Sequence, residues 1–91
     1  MSIRSFKSKS LQNLFQRGSD KAIPSELRKK LDAMLQRLDS AETTNDLKIA
    51  KFHRLKGDRG DTHAWHVTAN WRLTFRFEHG DAFDVDLEDY H

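Results

Sequence analysis

The chain has 91 residues, 36% hydrophobic and 33% charged, so we expect a single small domain spanning residues 1–91. It contains no cysteine, which excludes a disulfide framework, a thiolate nucleophile and any cysteine-ligated metal site. The formal net charge of +2 conceals a gradient, because residues 1–60 carry fourteen Lys/Arg and seven Asp/Glu whereas residues 61–91 carry two and seven. Polyanions should therefore be drawn to the first part of the chain.

The sequence offers no signal for a membrane or a secretory route. No apolar stretch approaches the roughly 20 residues of a membrane span, and the first residues lack the apolar core of a signal peptide. We therefore expect a cytoplasmic protein without a membrane partner.

The first predicted helix runs from about Ser8 to Arg17, where apolar residues recur at helical spacing. Gly18 follows at the place where a helix C-cap favours a left-handed residue. Ile3 and Phe6 flank polar residues before this helix, as on an edge strand or a lead-in segment.

A second helix is predicted to open over Ile23–Glu26, with Pro24 tolerated in its first turn. One apolar stripe runs along it, formed by Leu27, Leu31, Met34, Leu35 and Leu38. Its basic residues lie off the stripe and should form an exposed basic surface: Arg28, Lys29, Lys30 and Arg37.

The rest of the chain predicts a sheet. Residues 41–46 indicate a connection, 52–55 a brief strand and 56–61 a polar loop with two glycines. After this loop apolar residues alternate with polar ones: Trp65 and Val67, then Trp71, Leu73, Phe75 and Phe77, then Phe83, Val85 and Leu87. This order predicts an α+β domain in which two N-terminal helices pack on one face of a twisted antiparallel sheet, leaving the other face polar.

The apolar pattern also predicts the last hairpin. A three-residue loop, His79-Gly80-Asp81, pairs Phe77 with Phe83, and likewise Phe75 with Val85, on the apolar face. On the polar face, this register places Arg76 opposite Asp84, Thr74 opposite Asp86 and Arg72 opposite Glu88. A preceding turn near Ala69-Asn70 brings His66 close to Arg72.

Metal chemistry is disfavoured by the residue spacing. The five histidines show no paired ligand spacing on a helix, and we interpret them as surface residues: His53, His63, His66, His79 and His91. The glycine-containing segment 56–60 lacks the spacing of a phosphate-binding P-loop.

Acid–base cleavage of RNA fits the residues better. The RNA supplies its own 2′-hydroxyl nucleophile, so the protein needs proton-transfer groups and cations for the phosphate. These are available as His53, Lys56, Arg72, Tyr90 and His91. An equally weighted alternative is that Arg72 and Arg76 only form structural ion pairs with the acidic residues across the hairpin.

Several segments together closely resemble the HigB toxins of the RelE/ParE toxin superfamily. The resemblance lies in Ile3–Lys7, His53–Arg59, Ala69–Phe75, Gly80–Phe83 and Glu88–His91, in the same order and at matching distances. It extends over essentially the whole chain.

The resemblance implies a compact RelE-like α+β fold and a ribosome-dependent mRNA endonuclease that cuts translated messages in the A site. It also implies a HigA-type helix-turn-helix antitoxin that neutralises the toxin, with operator DNA contacted only through that antitoxin. No metal or other cofactor is implied.

Carried over to matching positions, the resemblance indicates a catalytic patch of His53, Lys56, Arg72, Asp89, Tyr90 and His91. We interpret His91, oriented by Asp89, as a proton-transfer group, Lys56 and Arg72 as phosphate ligands, and Tyr90 as a stacking partner for a base. Further RNA contacts are expected from basic residues elsewhere: Lys29, Lys30, Arg54, Arg59 and Arg76. Asp84 and Asp86 would repel RNA unless they are paired.

Two other readings remain open. A sister branch of the same fold inhibits DNA gyrase without cleaving anything, as ParE toxins do, although a terminal histidine has no purpose in such a binder. A degenerate member would retain only antitoxin and operator binding.

Overall fold

The computed structural model describes residues 2–18, 20–42, 52–54 and 62–89. They form two helices followed by four strands: α1 (Lys9–Arg17), α2 (Ser25–Ser40), β1 (Phe52–Arg54), β2 (Thr62–His66), β3 (Trp71–Glu78) and β4 (Asp81–Asp89). The predicted α+β class is thereby confirmed. No helix in this described part is long and apolar enough to cross a membrane.

Helix α1 has the predicted C-cap at Gly18 and is capped at its start by Ser8. The Ser8 hydroxyl accepts a hydrogen bond from the Leu11 amide at 3.2 Å, which satisfies a backbone donor that the first turn leaves without a partner. At the other end Gly18 adopts a φ of 83° and donates its amide to the Leu14 carbonyl at 2.9 Å. The cap residues therefore explain both ends of this helix.

Helix α2 begins directly after Pro24 and buries the predicted stripe. All five stripe residues are at most 7% exposed, with Leu31, Leu35 and Leu38 fully buried. They pack with α1 and one side of the sheet into a single core that includes Trp65, Leu73, Phe75, Ala82 and Val85. Full burial of each leucine stabilises the fold by about 1.5–3 kcal/mol.

The sheet is an antiparallel meander in the order β1-β2-β3-β4. The N-terminal segment runs along β4 through two isolated parallel bridges, Ile3 to Ala82 and Phe6 to Val85. The prediction of an edge or lead-in segment is thus confirmed, and the segment covers an otherwise exposed sheet edge.

The last hairpin turns differently from the prediction. Its loop has two residues, His79 and Gly80, with φ of 52° and 84°, and Glu78 pairs with Asp81. Positive φ at both central positions matches the twist of the flanking strands. The predicted three-residue loop and the Phe77–Phe83 pair are wrong, since Phe77 pairs with Ala82.

A bulge in β4 then corrects the register by one residue. Asp84, with a φ of 55°, and Val85 both lie opposite Phe75. Beyond the bulge Thr74 pairs with Asp86, as predicted, and Val85 remains fully buried. Before the bulge Phe83 pairs with Arg76 and therefore belongs to the polar side of the sheet, contrary to the prediction.

Candidate functional site

The side of the sheet that faces away from the helices carries most of the polar strand residues, and we call it the polar face. Paired residues on neighbouring strands point to the same side, so the described part of this face comprises Thr62, Ala64, His66, Arg72, Thr74, Arg76, Phe83, Asp86 and Glu88. Ala64 and Thr74 are buried on it, at 0% and 2% exposure. The remaining positions are partly exposed.

Arg72 lies where the sequence predicts, between His66 on β2 and Glu88 on β4. Its guanidinium contacts the Glu88 carboxylate at 3.5 Å, and both side chains are only 20% exposed. Partial burial lowers the local dielectric, so the guanidinium acts on an anion more strongly than a fully exposed arginine does. A fixed, half-buried cation of this kind suits a phosphate ligand.

Glu88 holds Arg72 in place through a second contact. Its other carboxylate oxygen accepts a 2.6 Å hydrogen bond from the buried Thr74 hydroxyl. A charged acceptor makes such a bond short and strong. Glu88 and Thr74 are not among the predicted site residues. The predicted register nevertheless places Glu88 opposite Arg72, which could have identified Glu88 as part of the site.

Arg76, predicted to bind RNA, is engaged by two carboxylates. Its Nε donates to Asp84 at 2.8 Å, its Nη1 donates to Glu78 at 2.7 Å, and its guanidinium carbon lies 5.6 Å from the centre of the Phe83 ring. The hydrogen bond to Asp84 is the main cause that raises the pKa of Arg76. Arg76 therefore offsets only part of the negative charge of Asp84 and Glu78, since one guanidinium faces two carboxylates.

The remaining predicted catalytic residues fall in different places. His53 pairs with Ala64, which pairs with Thr74, so these three positions form one row across the sheet. Asp89 is exposed and pairs with Trp71. Because successive residues of a strand point to opposite sides, Asp89 lies on the other side of the sheet from Glu88 and Arg72. The other three predicted catalytic residues lie outside the described residues: Lys56, Tyr90 and His91.

The basic residues predicted to bind RNA are also dispersed. Lys29 is exposed on α2, whereas the Lys30 ammonium donates a hydrogen bond to the Val67 carbonyl after β2. Arg54 pairs with His63, and Arg59 lies outside the described residues. Lys29 and Lys30 are therefore both exposed on α2, but the ammonium of Lys30 is engaged by the Val67 carbonyl.

The described residues contain no cluster of three or more His, Asp or Glu side chains that could hold a metal ion. The chemistry that the polar face offers is anion binding at Arg72 beside His66, in a position stabilised by Glu88. A phosphate bound there would gain charge neutralisation and a fixed orientation.

The chain is similar to known proteins along nearly its whole length. A family model described as the RelE-like toxin of the type II toxin–antitoxin system HigB matches residues 4–91. The chain is also 42% identical to the Endoribonuclease HigB of Proteus vulgaris over 91 residues, covering 98% of this chain and 99% of that protein. Both matches include the two helices and the whole described sheet.

Proposed function

Because the chain belongs to the RelE-like HigB toxins of type II toxin–antitoxin systems, we propose that it is an endoribonuclease that cleaves translated mRNA in the ribosomal A site. The observation that carries this proposal is the near full-length similarity to a protein named as an endoribonuclease. The half-buried Arg72 on the polar face supports it, because the reaction requires a cation at the phosphate.

The proposed reaction needs no metal. A base removes the proton of the 2′-hydroxyl, the 2′-oxygen attacks the adjacent phosphorus, and the bond to the 5′-oxygen breaks as an acid protonates that oxygen. The products are a 2′,3′-cyclic phosphate and a free 5′-hydroxyl. Two proton-transfer groups and a stabiliser of the phosphate charge are sufficient.

We assign these roles to the six residues of the catalytic patch. His91, oriented by Asp89, transfers a proton, and His53 is the second imidazole available for this purpose. Lys56 and Arg72 bind and neutralise the scissile phosphate. Tyr90 stacks on a base of the message.

The proposed partners follow from the same family. A HigA-type helix-turn-helix antitoxin neutralises the toxin and connects it to operator DNA, in the cytoplasm. On the ribosome, Lys29 on α2 and the other predicted basic residues contact RNA phosphates, so affinity should fall as salt rises. Arg76 contributes less, since its charge is balanced by Asp84 and Glu78.

The proposal is tested by primer extension on a translated message after brief induction of the toxin. We expect cuts within the translated region, growth arrest and no cleavage of the same RNA without ribosomes. Arg72→Ala should reduce cleavage about 10²–10³-fold, as does loss of one group that stabilises transition-state charge. Arg17→Ala is the matched control, because Arg17 is an exposed arginine at the end of α1, remote from the polar face.

Two results would contradict the proposal. Intact messages in arrested cells, with inhibition of supercoiling by purified gyrase, would indicate the ParE-like activity instead. Unchanged cleavage by both Arg72→Ala and His91→Gln would show that the catalytic patch is misassigned.

A further inference from the structure

A pocket of about 290 Å³ opens on the polar face beside the bulge in β4. It is lined by Phe75 and by six polar residues: Lys7, Thr62, Thr74, Arg76, Asp84 and Glu88. We call it the bulge pocket. Thr74 and Glu88 also hold Arg72, but no role assigned above places a ligand in this pocket.

The walls of the bulge pocket are held in place. Arg76 and Asp84 are bonded to each other, and Glu88 is bonded to Thr74. The backbone amide of Asp84 also donates to the Ser5 hydroxyl at 2.8 Å, which fixes the bulge itself. A ligand would therefore enter a site that needs little ordering.

Two donors in the lining remain available. Among the residues that the structure describes, neither the Lys7 ammonium nor the Thr62 hydroxyl has a hydrogen bond or an ion pair. Lys7 reaches the pocket because its backbone amide donates to the Val85 carbonyl at 2.9 Å, alongside the bulge. Carboxylate oxygens accept more than one hydrogen bond each, so Asp84 and Glu88 add acceptors to these two donors.

The charge and size of the pocket define its ligand. Two cations, Lys7 and Arg76, face two carboxylates, Asp84 and Glu88, so the lining has no net charge to compensate a phosphate. A neutral ring with donors and acceptors on its edges suits it better, and nucleobases are recognised in this way. The volume of about 290 Å³ is just below the roughly 300–1,000 Å³ of ligand pockets, which suits a ligand as small as one nucleobase.

The bulge pocket is next to the proposed phosphate site. Thr74 lines it and is two residues from Arg72 on the same side of β3, a separation of about 7 Å. Glu88 touches both sites, since it contacts Arg72 as well as Thr74. An RNA phosphate at Arg72 therefore brings a neighbouring base to the pocket.

We propose that the bulge pocket binds the nucleobase adjacent to the scissile phosphate and that Thr62 and Lys7 determine which base is preferred there. This inference rests on the proposed endoribonuclease function and adds a specificity site to it. Arg72 then acts on every message alike, whereas Thr62 and Lys7 distinguish between messages.

The test measures cleavage rates on ribosomes for messages that differ only in one nucleotide, on the 5′ side of the cut in one series and on the 3′ side in another. For each variant the readout is the cleavage rate with the most rapidly cut base divided by the rate with the most slowly cut base. Thr62→Val and Lys7→Gln should each lower this ratio roughly 2- to 10-fold in one series, as expected for one hydrogen bond. Thr62→Ser should keep the ratio of the wild-type chain, because serine retains the hydroxyl.

Two controls separate specificity from general damage. Lys9→Gln, at an exposed lysine that does not line the pocket, should leave the ratio unchanged. Arg72→Ala should lower the cleavage rate by the same factor for all four bases.

The possible failures are distinguishable. If the wild-type chain cleaves but the ratio is unaffected by Thr62→Val and Lys7→Gln in both series, the base-binding role of the pocket is wrong. If the wild-type chain does not cleave translated messages at all, the proposed function fails, and the inference that depends on it fails too.

Discussion

The Thr74 hydroxyl donates a 2.6 Å hydrogen bond to Glu88, whose other carboxylate oxygen lies 3.5 Å from the Arg72 guanidinium. Thr74 is 2% exposed, so the hydrogen bond is shielded from water. The orientation of a partly exposed cation is thereby tied to a buried residue of the central strand.

Removing this hydroxyl should destabilise the fold. Thr74→Val keeps the shape of the side chain but removes the hydroxyl that donates to Glu88, and we expect the free energy of unfolding to fall by about 0.5–1.5 kcal/mol. Urea unfolding followed by circular dichroism measures this. Thr62→Val is the control, since the Thr62 hydroxyl bonds to no other described residue, and an equal loss in both variants would contradict the interpretation.

Glu88 should act on the rate of cleavage through Arg72, whatever it adds to the choice of base in the bulge pocket. Glu88→Gln retains an oxygen for Thr74 but removes the charge that holds the guanidinium, and we expect about a 10-fold loss of kcat, smaller than that of Arg72→Ala. The double variant should be no slower than Arg72→Ala alone, because the two residues form one unit. Losses that multiply in the double variant would show an independent role for Glu88.

Adding a side chain at Gly80 of the hairpin turn should lower the stability of the protein, whereas removing the side chain of His79 should not. Gly80 has a φ of 84°, so Gly80→Ala should cost about 1–2 kcal/mol, although no atom lies close enough to clash. His79→Gly removes a side chain from a residue with a φ of 52° and should change the stability little. Thermal unfolding of the two variants compares them directly, and equal midpoints would show that turn strain is not the cause.

Asp81 should make the stability depend on pH. The hydrogen bond from Arg4, at 2.9 Å, is the largest cause that holds the pKa of Asp81 below its ordinary range. The stability it contributes is therefore present above the pKa of the unfolded chain and is lost as pH falls through the lower, folded pKa. Asp81→Asn should lower the unfolding midpoint at neutral pH, and the difference from wild type should vanish in acid. A difference that persists in acid would contradict this origin.

The helices and the core were predictable from the sequence. The stripe from Leu27 to Leu38 repeats with helical spacing, and Gly18 supplies a left-handed cap, so local geometry alone explains both helices. The alternation of apolar residues in β3 likewise predicts which side of the sheet is buried.

The positions of the site residues were predictable only in part. The pairing of Arg72 with His66 and Glu88 follows from the hydrophobic register and is confirmed. The sequence did not reveal that both Asp84 and Glu78 hold Arg76. A register states which residues are paired across strands, but it does not give the direction in which a long side chain extends.

The sequence by itself determined the order of elements, the buried stripe and the register at Arg72, because each depends on periodicity along the chain. Only the tertiary structure decided how the last hairpin reaches that register. A three-residue loop, and a two-residue loop followed by a one-residue bulge, bring the same residues together at Arg72, so the apolar pattern cannot distinguish them. The N-terminal segment stabilises the bulge at Asp84 through Ser5, a contact between residues 79 positions apart that no local pattern contains.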